Sequence, residues 1–126
     1  MKQLVWVALG GAAGCVTRYW LADAIQRLTL WPSLVGIAVI NVTGSFLIGL
    51  LFVVITEKLH WHPDWRSVLM VGFLGGYTTF SSFSLDTLVA IESGRWGLAV
   101  TYVLASVLLS LLACAGGLAL ARHWLQ

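Results

Sequence analysis

The chain has 126 residues, of which 7 are Lys or Arg and 5 are Asp or Glu, giving a formal net charge of +2. With 60% hydrophobic residues and a mean hydropathy of +0.93, it would expose too much apolar surface as a water-soluble fold. Its charge is too small to suggest nucleic-acid binding.

The charges are unevenly spread: residues 3–17, 28–56, 67–85 and 96–121 contain none. A helical span of a bilayer needs about 20 mostly apolar residues. The expected fold is therefore an all-α membrane protein, a single domain over residues 1–126 with four transmembrane helices, lodged in the lipid bilayer. Four short helices enclose little space, so a pathway through one copy would have thin walls, which favours oligomerisation.

The first helix is expected from about Lys2 to Arg27. Lys2 followed by Leu4–Gly14 has the outline of a signal peptide, but the spanning stretches downstream make it an uncleaved first helix. Within it, Gly10-Gly11-Ala12-Ala13-Gly14 forms a small-residue face, with Gly10 and Gly14 four apart, a spacing that permits close helix packing in lipid. Cys15 and Cys114 are expected as small core residues, and their spacing supports neither a disulfide nor a metal site. Trp31-Pro32 marks a turn.

The second helix is expected from about Ser33 to Thr56, followed by the polar loop Glu57–Asp64. The third begins near Trp65 and reaches Glu92. At its centre Gly75-Gly76-Tyr77-Thr78-Thr79-Phe80-Ser81-Ser82-Phe83-Ser84 joins paired glycines to β-branched and hydroxyl residues, all poor helix formers, so the third helix is expected to be broken in mid-membrane. Non-helical backbone at that depth is tolerated only inside protein or along a watery cavity, which makes the break the main pointer to a functional site. The fourth helix is expected from about Trp96 to Arg122. Most of the seven tryptophans lie near span ends, as an interfacial belt does. Lys2, Lys58, Arg66 and Arg122 fall at one end of the bundle, Arg27 and Arg95 at the other, with Arg18 part-way into the first helix. That asymmetry is weak, so insertion in both orientations, and with it an antiparallel homodimer, is conceivable.

The polar groups inside the spans are few. Asn41 stands in mid-helix among Val39, Ile40 and Val42, where an amide needs partners; interhelical bonding is one role for it. Tyr102, Ser106 and Ser110, at i, i+4 and i+8, form a hydroxyl stripe on one helical face, although each hydroxyl could bond its own helix. Phe80 and Phe83 lie in the break among Thr79, Ser81, Ser82 and Ser84. Aromatic packing is their simplest use, but ring edges are electropositive. These groups share the ability to present positive dipoles without a full charge, which suits an anion that must bind firmly enough to enter and weakly enough to leave. Arg18 and Asp86 are the charges placed nearest membrane depth; each is a functional candidate by default, with snorkelling an alternative for Arg18 and local capping or pairing one for Asp86. No Ser–His–Asp or Cys–His arrangement and no phosphate-binding glycine loop can be assembled, which argues against an enzyme.

The segment Gly72-Phe73-Leu74-Gly75-Gly76-Tyr77-Thr78-Thr79-Phe80-Ser81-Ser82-Phe83-Ser84 resembles the CrcB/Fluc family of fluoride channels. Gly10–Trp20, Asn41-Val42-Thr43-Gly44 and the Tyr102/Ser106/Ser110 stripe agree with it, so the resemblance covers essentially the whole chain. It implies an antiparallel, dual-topology homodimer in the cell inner membrane, with two fluoride pores and a central structural sodium ion. Carried over, Gly75 and Thr78 would supply backbone carbonyls to that sodium, two from each protomer. Phe80 and Phe83 would turn ring edges to fluoride, Asn41 would donate to it, and Tyr102, Ser106 and Ser110 would form a polar track. Thr79 and Ser81 would be further lining residues, and Arg18 would stand near an aqueous vestibule. The chain departs from some relatives at Ile37, where they have Thr, and at Asp86, where they have Glu. A proton-coupled cation exporter similar to the small multidrug resistance family is the main alternative, but it requires a carboxylate in the middle of the first helix, and Asp23 lies toward its end.

Overall fold

The computed structural model describes residues 1–29 and 32–126, so Trp31 of the expected turn lies outside the described residues. Among these, four helical segments are long and apolar enough to cross a membrane: Lys2–Thr29, Ser33–Lys58, Pro63–Glu92 and Trp96–Trp124. They agree with the four charge-free stretches, each running a residue or two further than the sequence suggested. α1 is Lys2–Thr29 and α2 is Ser33–Lys58, its last six residues Val53–Lys58 wound as a wider π-helix. The third span comprises α3, residues 63–77, and α4, Phe80–Glu92. Within α3 the stretch Arg66–Leu74 is π-helical, and the Gly75 N–H reaches the Met70 carbonyl five residues back. π-turns of this kind recur at functional sites. α5 is Trp96–Trp124.

Glycines set how these helices meet. In α1, Gly10 and Gly14 are buried, and a Cβ on either would overlap α3 backbone, at the Val68 and Phe73 carbonyls respectively. In return, a Cβ on Gly72 would come within 2.9 Å of the Val7 carbonyl, and one on Gly76 within 3.2 Å of the Cys15 nitrogen. The small-residue face of α1 thus finds its partner in α3. The same device joins α2 to α5, where Gly49 faces the Cys114 carbonyl and Gly117 faces that of Phe46. Without a hydrophobic force between helices in lipid, such backbone-to-backbone approach and its van der Waals contacts hold the bundle.

Two small clusters form the interior. Ile40, Leu74 and Tyr77 pack together where α2 meets α3; Leu34, Phe83 and Tyr102 pack where α2, α4 and α5 meet. The outer faces are apolar and exposed, including Leu4, Leu9 and Val16 on α1 and Leu104, Leu108, Leu111 and Leu112 on α5. That surface would be untenable in water and is at home in hydrocarbon, so the chain is a multi-pass membrane protein. Trp61, Trp65, Trp96 and Trp124 are exposed at span ends. At the end holding both termini, Arg122 Nε and Nη2 donate to the two carboxylate oxygens of Glu57 at 3.0 and 2.7 Å, tying α2 to α5.

The cysteines correct an expectation: Cys15 is exposed and Cys114 only half-buried. Cys15 lies at the edge of the α1–α3 seam, where glycines rather than larger side chains fill the contact.

Candidate functional site

Between α3 and α4 the backbone is extended at two residues. Thr78 has ψ 155°, and Thr79 has φ −150° and ψ 118°. Thr78 still donates its N–H to the Leu74 carbonyl at 2.9 Å, and its hydroxyl to the same oxygen at 2.9 Å. Thr79 does not follow. Its N–H, which a continuing helix would direct at the Gly75 carbonyl, donates instead to Asn41 Oδ1 at 2.8 Å. Asn41 Nδ2 in turn donates to the Thr79 carbonyl at 3.0 Å. One side-chain amide thus pairs both backbone groups of an extended residue, as a neighbouring strand would. This is the interhelical bonding anticipated for Asn41, with backbone as the partner.

The neighbouring residues fix the same dipeptide. Thr79 Oγ1 accepts from the Ser82 N–H at 3.2 Å, capping α4, and lies 3.2 Å from Ser81 Oγ. Thr43 Oγ1 points its only hydrogen at the carbonyls of Val39 and Ile40, so the Tyr77 hydroxyl, 2.9 Å away, is the donor to it. Gly44 lets Tyr77 and Thr78 approach α2: a Cβ there would overlap the Thr78 side chain and come within 3.2 Å of the Tyr77 ring.

The two phenylalanines differ sharply in setting. Phe83 is 9% exposed, whereas Phe80 is 77% exposed. Their ring centroids are 5.4 Å apart at 46°, and Phe83 continues to Tyr102 at 5.3 Å and 40°. Beyond Phe83, the Tyr102 hydroxyl and Ser106 Oγ are buried with no hydrogen-bond partner among the described residues.

A cavity of about 580 Å³ gathers most of the residues singled out in the sequence. Asn41, Gly75, Thr78, Thr79, Phe80, Phe83, Ser106 and Ser110 all line it. Tyr102 reaches it only through the Phe83 ring, and Ser81 through Thr79. Arg18 is not part of it: its Nη2 lies 3.8 Å from Cys15 Sγ on the α1 surface. The cavity also includes Ser45 and Arg66, which the sequence reading passed over. Ser45 had a signal, since it stands one helical turn after Asn41 on the same face. In the sequence Arg66 read only as one of the cations at one end of the bundle.

A second cavity, of about 420 Å³, lies toward the opposite end of the bundle, lined by Tyr19, Asp23, Gln26, Ser33, Ser82 and Asp86 among others. Ile37 also lines it and packs on the Phe83–Tyr102 cluster. The two positions where the sequence departs from some relatives, 37 and 86, therefore share one wall. Asp23 is held by Arg27 at 2.8 Å. Asp86 has no ion-pair partner among the described residues, and the side chain that caps α4 is that of Thr79.

The model of the family described as CrcB-like protein, Camphor Resistance (CrcB), matches residues 5–118. Among curated proteins, the chain is similar to the fluoride-specific ion channel FluC of Hahella chejuensis, 45% identical over 126 residues, covering 97% of this chain and 96% of the relative. The protein of the same name from Solibacter usitatus is 46% identical over 123 residues, covering 98% and 100%. That from Rhizobium meliloti is 44% identical over 126 residues, covering 97% and 98%. With a match over most of its length and relatives aligned nearly end to end, the chain belongs to the CrcB family.

Proposed function

We propose that this chain forms a passive, fluoride-selective channel, not an enzyme, that exports cytoplasmic fluoride across the cell inner membrane and so relieves its toxicity. It works as an antiparallel, dual-topology homodimer with two pores and a structural sodium ion at its centre. The observation that carries this reading is the pair of buried hydroxyls, Tyr102 and Ser106, with no hydrogen-bond partner among the described residues. Several helical hydroxyls turn back on their own helix: those of Thr17, Thr43, Ser84 and Thr87 donate to the carbonyl four residues before. Ser106 does not, although the same acceptor is within its reach in any helix. An unmet buried hydroxyl costs about 1–3 kcal/mol, a cost that a passing anion removes.

The other groups extend the same chemistry. Asn41 Nδ2 uses one hydrogen on Thr79 and has a second for fluoride. Ser110, Thr79 and Ser81 supply further hydroxyls, and the Phe80 and Phe83 ring edges supply positive potential. None carries a full charge, so the ion is held loosely enough to leave. Arg18 serves an aqueous vestibule outside this cavity. The names of the relatives, fluoride-specific ion channels at 44–46% identity, support the choice of ion.

The donor set at the break supports the sodium reading. Because Thr79 gives its N–H to Asn41, the Gly75 carbonyl lacks its helical donor, and Thr78 ends the helix. Hard carbonyl oxygens at a helix C-terminus suit a small cation. Gly75 and Thr78 would hold the sodium, which would fix the two protomers together.

Fluoride enters a cell as neutral HF from an acidic exterior and ionises inside. A negative-inside potential then drives the anion out, by about 2.3 kcal/mol per charge per 100 mV, and no nucleotide is needed. Replacing Phe80 or Phe83 by Ile should cut fluoride efflux from proteoliposomes at least tenfold while the dimer persists on size exclusion. Normal efflux from both variants would remove the phenylalanines from the pore.

A further inference from the structure

The larger cavity is not symmetrical along its length. From Asn41, Thr79 and Phe83 it runs past Ser45 and Ile48 on α2, Val107 and Ser110 on α5, and Val71 and Met70 on α3, and ends at Arg66. α2 and α5 run there toward the end of the bundle at which α3 begins, and Arg66 stands near the start of α3. Among the described residues Arg66 is the only charged one in the lining, and no carboxylate joins it. Of the acids nearby, Glu57 is paired with Arg122 at 2.7 Å, and His62 Nδ1 accepts from the Asp64 N–H at 3.3 Å, capping the start of α3. Among the described residues Arg66 has no ion pair.

We infer that Arg66 is an anion-collecting charge at one mouth of the conduction path, a residue that sets how often fluoride enters rather than how it is bound inside. This rests on the channel reading above. A guanidinium is charged at every accessible pH, and low-dielectric walls focus its field into the cavity they enclose. Placed at the mouth and in contact with water, it raises the local anion concentration without forming the deep well that a charge beside Phe83 would create. Two turns of helix separate it from Leu74, so its attraction is weaker at the Asn41–Thr79 pair than at the mouth.

The distinguishing property is sensitivity to ionic strength. The screening length is about 30 Å at 0.01 M and about 3 Å at 1 M, so a collecting charge acts in dilute salt and is silent in concentrated salt, whereas a structural role is indifferent to both. Initial fluoride efflux from proteoliposomes, with an impermeant organic-anion salt as the supporting electrolyte, should be compared for the unmodified chain, Arg66→Gln, Arg66→Glu and Arg66→Lys. The expected result is at least a threefold loss for Arg66→Gln at low ionic strength, a greater loss for Arg66→Glu, near-normal rates for Arg66→Lys, and convergence of all four at high ionic strength. Equal rates for Arg66→Gln and the unmodified chain in dilute salt would overturn the assignment, as would a loss of the same size at both ionic strengths. Those outcomes leave the channel standing. Absence of fluoride efflux from the unmodified dimer would instead remove the channel reading, and this assignment with it.

Discussion

Asn41 is occupied on both sides of its amide by the backbone of Thr79, so its replacement tests support and conduction together. Asn41→Ala leaves an N–H and a carbonyl unpaired inside the bundle and should cost about 1–3 kcal/mol. Asn41→Asp keeps the shape but turns an acceptor toward the Thr79 carbonyl, and should be no better; both appear as lower melting temperatures in detergent and as fluoride efflux reduced at least tenfold. Ser106 gives the opposite pattern. Its hydroxyl has no partner among the described residues, so Ser106→Ala should leave thermal stability unchanged or raise it by up to about 1 kcal/mol while slowing efflux. A Ser106→Ala variant that melts lower would mean that the hydroxyl has a structural partner after all. The sequence made Asn41 and Ser106 visible because polar groups are rare in these spans. It could not show that Asn41 meets Thr79, because that depends on how α2 is rotated against α3. Arg66 was hidden for another reason: a charge beside a loop looks the same whether or not a cavity opens behind it.

At the scale of elements, the helices are held by contacts that a single methyl group disturbs. Gly14→Ala would drive a Cβ into the Phe73 carbonyl, and Gly117→Ala into that of Phe46. Backbone cannot swing aside as a flexible side chain can, so each should cost about 1–3 kcal/mol. Gly97 has nothing within 4 Å of its would-be Cβ, and Gly97→Ala should be neutral or stabilising by up to about 1 kcal/mol. Melting curves of the three variants in one detergent check the contrast. Close packing by Gly10 and Gly14 was legible in their four-residue spacing; that α3 is the partner, through Gly72 and Gly76, was not, because α1 presents small residues to more than one neighbour. The weakness of the Gly75–Thr79 stretch as helix was equally plain from propensity. That the chain becomes extended at Thr78 and Thr79 in particular is settled by tertiary bonds, from Asn41 to Thr79 and through the space left at Gly44.

At the scale of the whole molecule, the span count follows from where the charges are missing, since hydrocarbon tolerates little else. A protomer that exposes Phe80 beside a cavity open along its side is a poor conduit alone, and this is what the proposed homodimer resolves. Light scattering in detergent should give a protein mass of two chains, with Phe80→Ile leaving it unchanged. Charge sets orientation only weakly: Lys2, Lys58, Arg66 and Arg122 at one end stand against Arg27 and Arg95 at the other, a small bias. An accessibility tag at either terminus should accordingly be labelled from both sides of the membrane. The central claim is that the pathway selects fluoride and moves it as a charge. The most direct test is efflux from proteoliposomes loaded with potassium fluoride or potassium chloride, each followed with its own electrode after valinomycin is added. Rapid, valinomycin-dependent release of fluoride without chloride is the expected result. No fluoride release from a well-folded dimer, or equal release of both anions, would contradict it.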